Sequence, residues 1–135
     1  MAEKQKPFQI EFPRTGDSSI GYISISDFSK TIPFEVKRTF WTYYTPESIV
    51  RGRHAHFKTE QVLIAVAGKI IVSLDQKGEI SSFVLDQPYQ GIYIPASCWH
   101  TMQYSHNAVQ LVFASTQYEE KDYIRDYNEF RRIYG

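Results

Sequence analysis

Short runs of β-branched and aromatic residues, separated by turn residues, recur along almost the whole chain. The runs lie at 8–12, 20–25, 34–44, 62–67, 69–74, 80–85, 91–95 and 108–114. Gly68 and the segment 75–78 are typical of tight turns between neighbouring runs. Short strands with a turn about every eight to twelve residues indicate a β-sandwich or barrel. The sequence therefore predicts an all-β fold, with residues 1–135 as one domain.

The C-terminal segment departs from this pattern. Residues 118–130 are rich in charge, and Tyr123, Tyr127 and Phe130 recur at helical spacing. We expect a short helix here, with Thr116 as its N-cap, that covers one end of the sandwich.

The charge balance and the cysteine content exclude several classes of function. Fifteen Lys and Arg residues balance fifteen Asp and Glu residues, so no basic face predicts nucleic-acid binding. The start of the chain lacks a signal-peptide stretch, and no apolar run is long enough to span a membrane. Cys98 is the single cysteine, which favours a reducing compartment. We expect a cytoplasmic protein without a nucleic-acid or membrane partner.

Two histidines lie two residues apart in a β-patterned region, at His54 and His56. Alternate residues of a strand point to the same face, so both imidazoles should project together. Arg51 and Lys58 surround them with positive charge, whereas alternation places Arg53 on the opposite, solvated side. Histidines that converge among cations indicate a site for proton transfer, metal binding or anion binding.

The β pattern and the histidine pair together resemble the cupin superfamily of double-sheet jelly rolls. The first cupin motif combines His-x-His, a glutamate and a turn glycine, and the matching residues are His54, His56, Glu60 and Gly68. The second motif ends in a proline, a glycine and a histidine, and the matching residues are Pro95, Ser97 and His100. Serine replaces the usual glycine there, so this second match is looser.

A narrower resemblance covers nearly the whole chain from Ile32 onward. The segments that carry it are 32–38, 51–58, 60–61, 91–94, 99–100 and 122–130. In order and spacing they are similar to the sugar-nucleotide 3,4-ketoisomerases, cupin-type enzymes that act on dTDP-4-keto-6-deoxyglucose. The resemblance implies a 3-keto-6-deoxyhexose product that is later aminated for bacterial surface glycans. It also implies a homodimer that needs no metal or other cofactor.

This chemistry suits the histidine pair. Moving a carbonyl from C4 to C3 requires that a proton leave C3 and that a proton return to C4, through an enediolate. An unperturbed histidine titrates near 6.5 and is an effective base at neutral pH, and nearby cations favour its neutral form. We therefore predict His54 and His56 as the catalytic proton-transfer pair, and either of them as the base.

Substrate binding needs cations for a diphosphate and flat side chains for the rings. The predicted substrate-binding residues are Arg38, Arg51, Lys58, Gln61, Tyr93, Trp99 and His100. Among these, Arg38 is equally consistent with a structural ion pair. Tyr93 and Trp99 are equally consistent with core or interface packing.

Two positions depart from the family's usual pattern. Ile20 stands where many members carry an arginine, and Phe40-Trp41 replaces a tyrosine pair. In the family these positions lie close to the sugar. The sequence therefore leaves open whether the product has the galacto or the gluco configuration at C4.

Two other functions fit the same residues. A metal-dependent cupin would use a three-histidine, one-carboxylate site for iron or manganese, with His54, His56, Glu60 and His100 as ligands. A sugar-nucleotide sensor on the same fold would bind its ligand without catalysis.

Overall fold

The protein is described by a computed structural model that covers residues 5–135 and confirms the all-β prediction. Within these residues the strands are β1 (Phe8–Glu11), β2 (Arg14–Asp17), β3 (Gly21–Ser24), β4 (Arg38–Tyr43), β5 (Val50–His56), β6 (Gln61–Ala67), β7 (Ile70–Gln76), β8 (Glu79–Leu85), β9 (Gln90–Ile94), β10 (Trp99–Tyr104), β11 (Val109–Ala114) and β12 (Tyr123–Ile124). One helix, α1 (Tyr127–Tyr134), follows them. The prediction about a signal peptide depends partly on the first four residues, which lie outside the described part.

Two five-stranded antiparallel sheets form a jelly-roll sandwich. The first sheet has the order β1-β9-β6-β11-β4, and the second has the order β12-β5-β10-β7-β8. β2 and β3 form a separate hairpin. Side chains such as Leu63, Val72, Leu74 and Ile92 fill the space between the sheets. Because alternate residues of each strand point inward, this core comes from both sheets at once.

Each sheet also packs apolar side chains on its outer face. Phe34, Val62 and Tyr93 belong to a cluster outside the first sheet. Outside the second sheet, Phe130 of α1 packs against Ala55 and Ile124. This packing explains why several strands have buried residues at successive positions instead of at every second one.

The C-terminal helix is shorter than its prediction and begins later. Asp126 caps it, since its carboxylate accepts hydrogen bonds from the backbone N–H groups of Asn128 (2.8 Å) and Glu129 (3.1 Å). Thr116, the predicted cap, instead shares a hydrogen bond with Thr59. The predicted helix over 118–130 is therefore wrong in its first half.

The first half of that segment is an edge strand instead. A turn of 3₁₀ helix (Glu120–Asp122) leads into β12, which pairs with Ala55 and His56 at the edge of the second sheet. Tertiary pairing has overridden the local helical spacing here, because β12 covers an otherwise unpaired edge of β5.

No helix among residues 5–135 is long and apolar enough to cross a membrane.

Candidate active site

A cavity of about 170 Å³ lies between the two sheets. Its apolar wall is formed by Phe40, Leu63, Met102 and Val112. Its polar wall contains Thr42, Gln61, Tyr104 and Gln110, in addition to the groups described below. The sandwich therefore encloses a small, mostly polar space.

Three imidazoles converge at this cavity. His54 and His56 project from the same side of β5, and His100 lies directly opposite His54 on β10. The ring centroids are 5.0 Å apart for His54 and His56, and 4.6 Å apart for His54 and His100. His54 is half-buried and lines the cavity with His100, whereas His56 and His100 are buried. The predicted convergence of His54 and His56 is confirmed.

Backbone carbonyls fix the tautomers of two of these rings. Nδ1 of His54 lies 3.0 Å from the carbonyl oxygen of Gly52, and Nδ1 of His100 lies 3.1 Å from that of Cys98. A carbonyl oxygen can only accept, so each Nδ1 carries the proton and donates it. In the neutral rings each Nε2 therefore keeps its lone pair. Nε2 atoms of His56 and His100 are buried and have no hydrogen-bond partner in the described part of the chain.

All three histidines are held in the neutral form. Burial lowers the pKa of His54, and the positive charges of Arg125 and Arg38 lower it further. Burial, followed by the proximity of His54, lowers the pKa of His56 to about 3. The pKa of His100 is lowered well below its ordinary value by burial and by the two neighbouring rings. The cluster is therefore a set of uncharged imidazoles at neutral pH.

A β-bulge in β5 brings Arg51 to the cavity. Gly52 and Arg53 have φ values of 83° and 59°, and the pairing of β5 with β10 shifts register at this point. Strict alternation would place Arg51 and His54 on opposite faces, but the extra residue reverses the side on which Arg51 emerges. Arg51 consequently lines the cavity together with His54, and Arg53 is exposed as predicted.

Tyr123 and two arginines form the rim of the cavity. The Tyr123 ring lies 4.5 Å from His56 and 5.1 Å from His54, measured between centroids. Its hydroxyl accepts a hydrogen bond of 3.4 Å from Arg38, and the Arg125 guanidinium lies 4.3 Å from the centre of its ring. Arg125 lines the cavity and also pairs with Glu120 (3.0 Å). The rim is therefore rich in positive charge.

Some of the predicted substrate-binding residues belong to this site. Gln61, Arg51 and His100 line the cavity, and Arg38 lies beside it. Lys58 is exposed and lines a neighbouring groove.

The two predicted stacking aromatics lie elsewhere. Tyr93 is fully buried outside the first sheet, with its ring 4.8 Å from that of Phe8. Trp99 contacts Tyr127 and Phe130 of α1, on the outer face of the second sheet. Because neighbouring residues of a strand alternate, His100 occupies the inner face and Trp99 the outer one.

The four-ligand metal site of the alternative function does not form as predicted. The carboxylate of Glu60 accepts a hydrogen bond from the Tyr93 hydroxyl (2.5 Å), outside the cluster. Among the described residues the group that could hold a metal is His54, His56 and His100, whose nitrogens lie within 4.8 Å of one another. Three neutral imidazoles suit a transition metal, but Arg38 and Arg125 add positive charge that opposes a dication.

Tyr123 and Arg125 are site residues that sequence reasoning missed. Both lie in the segment 122–130 that carries the family resemblance, where the recurrence of Tyr123, Tyr127 and Phe130 predicts a helix. The aromatic and β-branched pair Tyr123-Ile124 was the available signal for a short strand.

Comparisons with known proteins identify the family of the chain. Residues 5–135 match the model of the protein family described as FdtA: WxcM-like, C-terminal. The chain is 39% identical over 124 residues to a TDP-4-oxo-6-deoxy-alpha-D-glucose-3,4-oxoisomerase from Aneurinibacillus thermoaerophilus, covering 91% of this chain and 88% of that protein.

Two solved structures are similar throughout. A 3,4-ketoisomerase from Helicobacter canadensis has a TM-score of 0.91 and 36% identity, covering 96% of this chain and 98% of the other. The sugar 3,4-ketoisomerase QdtA from Thermoanaerobacterium thermosaccharolyticum, solved with TDP, has a TM-score of 0.90 and 32% identity, covering 95% and 93%. A QdtA variant with one histidine changed to asparagine was solved with TDP-4-keto-6-deoxyglucose. The match over residues 5–135 shows that this chain belongs to the FdtA (WxcM-like, C-terminal) family.

Proposed function

We propose that this protein is an isomerase that moves the keto group of TDP-4-keto-6-deoxyglucose from C4 to C3. The observation that carries the proposal is the cluster of three neutral imidazoles at a small polar cavity with arginines at its rim. The named activities of the similar proteins support the same reaction. A cavity of this size suits one sugar ring.

The reaction exchanges protons without any change in composition. A base takes the proton from C3, which the neighbouring C4 carbonyl makes acidic, and an enediolate forms. A proton then returns to C4, the O3 hydroxyl gives up its proton, and the O4 oxygen gains one. Positive charge near the oxygens stabilises the enediolate, an effect of about 3 kcal/mol per well-placed hydrogen bond. Arg38 and Arg125 supply such charge beside the histidines.

His54 is the proposed base. It lines the cavity, its Nδ1–H is held by Gly52, and its Nε2 carries the lone pair. His56 lies behind it, and its pKa of about 3 leaves it uncharged at neutral pH and a poor store for an added proton. The proposed role of His56 is therefore only to pass a proton on transiently for His54, so that the two act as a pair.

The wall of the cavity supplies hydrogen bonds for the sugar. Gln61, Arg51 and His100 are the proposed contacts, because they line the cavity together with His54. Arg38 is the proposed partner of an oxygen at the rim, since its Nε is buried without a hydrogen-bond partner among residues 5–135.

A homodimer is part of the proposal. Trp41 and Tyr43 are more than half exposed on β4, an edge strand of the first sheet. Ile20, Tyr22 and Ile23 are similarly exposed on the β2–β3 hairpin and its turn. Exposed apolar surface of this extent is typical of an interaction face, and a second copy of the chain is the proposed occupant.

Heavy water tests the activity directly. Incubation with TDP-4-keto-6-deoxyglucose in heavy water should give the 3-keto sugar with deuterium at C4, as followed by NMR. A sensor would bind without exchange and would contradict the proposal. Activity that disappears after dialysis against a chelator and returns with iron or manganese would favour the metal-dependent alternative.

Amino-sugar and surface-glycan biosynthesis stays a prediction from the resemblance. A cytoplasmic location likewise stays a prediction, which rests on the single cysteine Cys98.

A further inference from the structure

Asp75 is a buried carboxylate that the proposed reaction does not use. It lies on β7 opposite Trp99 of β10, its side chain is 8% exposed, and it does not line the cavity. A carboxylate in such a place is costly unless it accepts hydrogen bonds. Asp75 accepts one from the backbone N–H of Gly78 (3.1 Å) and one from the Tyr127 hydroxyl, and the Arg131 guanidinium lies at 3.7 Å. Its charge therefore serves to attach α1 to the sheet.

These contacts hold α1 across the outer face of the second sheet. Phe130 packs against Ala55 of β5. The ring of Tyr127 lies 5.2 Å from that of Trp99 on β10, between centroids, and its hydroxyl donates to Asp75 on β7. Apolar packing has no preferred direction, whereas a hydrogen bond to a carboxylate has one. The contact of Tyr127 with Asp75, which we name the α1 latch, therefore fixes the orientation of the first turn of the helix.

The α1 latch lies two residues beyond Arg125, which belongs to the rim of the cavity. β12 pairs with β5 up to Ile124, so Arg125 lies on the short connection between β12 and α1. Its guanidinium pairs with Glu120, but both side chains are more than half exposed, and an exposed ion pair contributes little free energy. A second contact, with the ring of Tyr123, is made to β12 itself. The position of Arg125 therefore depends on β12 before it and on the latch after it.

We propose that Asp75 and Tyr127 are positioning residues, which hold Arg125 where its charge can act on the enediolate. This inference rests on the proposed function, in which Arg125 stabilises that intermediate. Neither positioning residue lines the cavity, so their effect reaches the site through the backbone between Tyr127 and Arg125. A group that is misplaced by about 1 Å can cost about 10²-fold in rate, even when the change lies far from the chemistry.

Steady-state kinetics with TDP-4-keto-6-deoxyglucose tests the α1 latch. Tyr127→Phe removes the hydroxyl and keeps the ring that packs on Trp99, and it should lower kcat by about 10- to 100-fold. KM should change little, because Arg125 is proposed to act in the transition state. Asp75→Ala removes the acceptor and should have the same effect. Tyr44→Phe is the matched control, because Tyr44 is 76% exposed and lies outside the latch and the cavity; it should keep wild-type kinetics.

A double-mutant cycle separates positioning from a general loss of stability. Arg125→Gln removes the charge itself and should also lower kcat. If the latch acts through Arg125, adding Tyr127→Phe to Arg125→Gln should lower kcat by no more than about twofold further, a factor within the usual error of additivity. A protein that is merely destabilised would lose the same factor in either background. Losses that multiply in full, or wild-type kcat in either single variant, would overturn the proposal.

The fluorescence of Trp99 follows the attachment of α1 directly. Trp41 and Trp99 are the two tryptophans of the chain, so Trp41→Phe leaves Trp99 as the reporter. In that background Tyr127→Phe should shift the emission to longer wavelength, because a loosened helix exposes the indole to water. Unchanged emission would show that the latch does not hold the helix and would also overturn the proposal.

The two proposals can fail separately. Isomerisation by the wild type, together with latch variants that match it, would leave the proposed function standing and remove the role of Asp75 and Tyr127. A wild type without isomerase activity would overturn the proposed function, and the role of the latch in that reaction with it.

Discussion

His54 differs from the other two clustered histidines in its access to the cavity. His56 and His100 are buried, and their Nε2 atoms have no partner in the described part of the chain. His54 is half-buried and reaches both the cavity and its two neighbours. A base must touch its substrate, whereas groups that relay or hold protons can lie behind it. Burial is therefore the basis of the roles proposed for these residues.

Replacing His54 tests this assignment. His54→Asn keeps a polar side chain but cannot accept the C3 proton, so kcat should fall by about 10²–10⁴-fold. Steady-state kinetics with the nucleotide sugar would measure the change. His106→Asn is the control, because His106 is exposed and lies outside the cluster; it should keep wild-type kcat. Turnover at the wild-type rate in His54→Asn would contradict the role of base.

The pH dependence of kcat/KM should reflect the lowered pKa of His54. Only the neutral ring accepts a proton, so the rate should be constant at neutral pH and should fall as pH drops through that pKa, below 6.5. Arg125→Gln removes a positive charge that lowers this pKa, so its acid limb should move to higher pH. An acid limb that stays in place would show that Arg125 does not act on His54.

Single residues also show where the sequence was informative. Alternation placed His54 and His56 on one face correctly, because the strand is regular between them. Alternation could not predict the face on which Arg51 lies, because of the bulge. The bulge depends on a left-handed backbone at Arg53, and an arginine in the sequence does not indicate that conformation. Tyr93 and Trp99 lie in segments that the sequence correctly predicts as strands. The face of the sheet on which each side chain lies could not be predicted, because it depends on the sheet to which the strand belongs.

At the scale of elements, β12 is the segment that completes the site. It carries Tyr123, which contacts two histidines, and Asp122 anchors it to the residues that follow β5. The sequence predicts eight strand regions and the C-terminal helix, because each of these segments is long enough for its apolar residues to recur at a clear spacing. A strand of two residues is too short to show an alternating pattern. β12 is a strand because it pairs with the edge of β5.

Asp122→Ala should destabilise the fold and impair catalysis together. It leaves the N–H groups of Lys58 and Thr59 without their acceptor, at a cost of about 1–3 kcal/mol in the free energy of unfolding. Urea denaturation would measure the loss, and kcat/KM should also fall because Tyr123 shifts. Asp126→Ala removes only the cap of α1, at about 1 kcal/mol. Equal effects of both variants on kcat/KM would argue against a special role for β12.

At the scale of the whole molecule, the exposed apolar face predicts self-association. Light scattering should give twice the chain mass of 15.8 kDa. Trp41→Asp places a charge on the exposed face of β4 and should shift the protein towards monomer. Ile80→Asp, on the edge strand β8 of the other sheet, should leave the dimer intact. A monomeric wild type at working concentration would remove the dimer from the proposal.

The cavity and its rim carry arginine side chains, at Arg38, Arg51 and Arg125, and the proposed substrate carries two phosphates. Such an arrangement attracts the ligand while it is still diffusing, so the capture rate should depend on ionic strength. Dissolved ions weaken this attraction over about 8 Å at physiological salt. They have little effect between the sheets, where solvent ions are excluded. Added salt should therefore slow the encounter of enzyme and substrate well before it slows the chemical step.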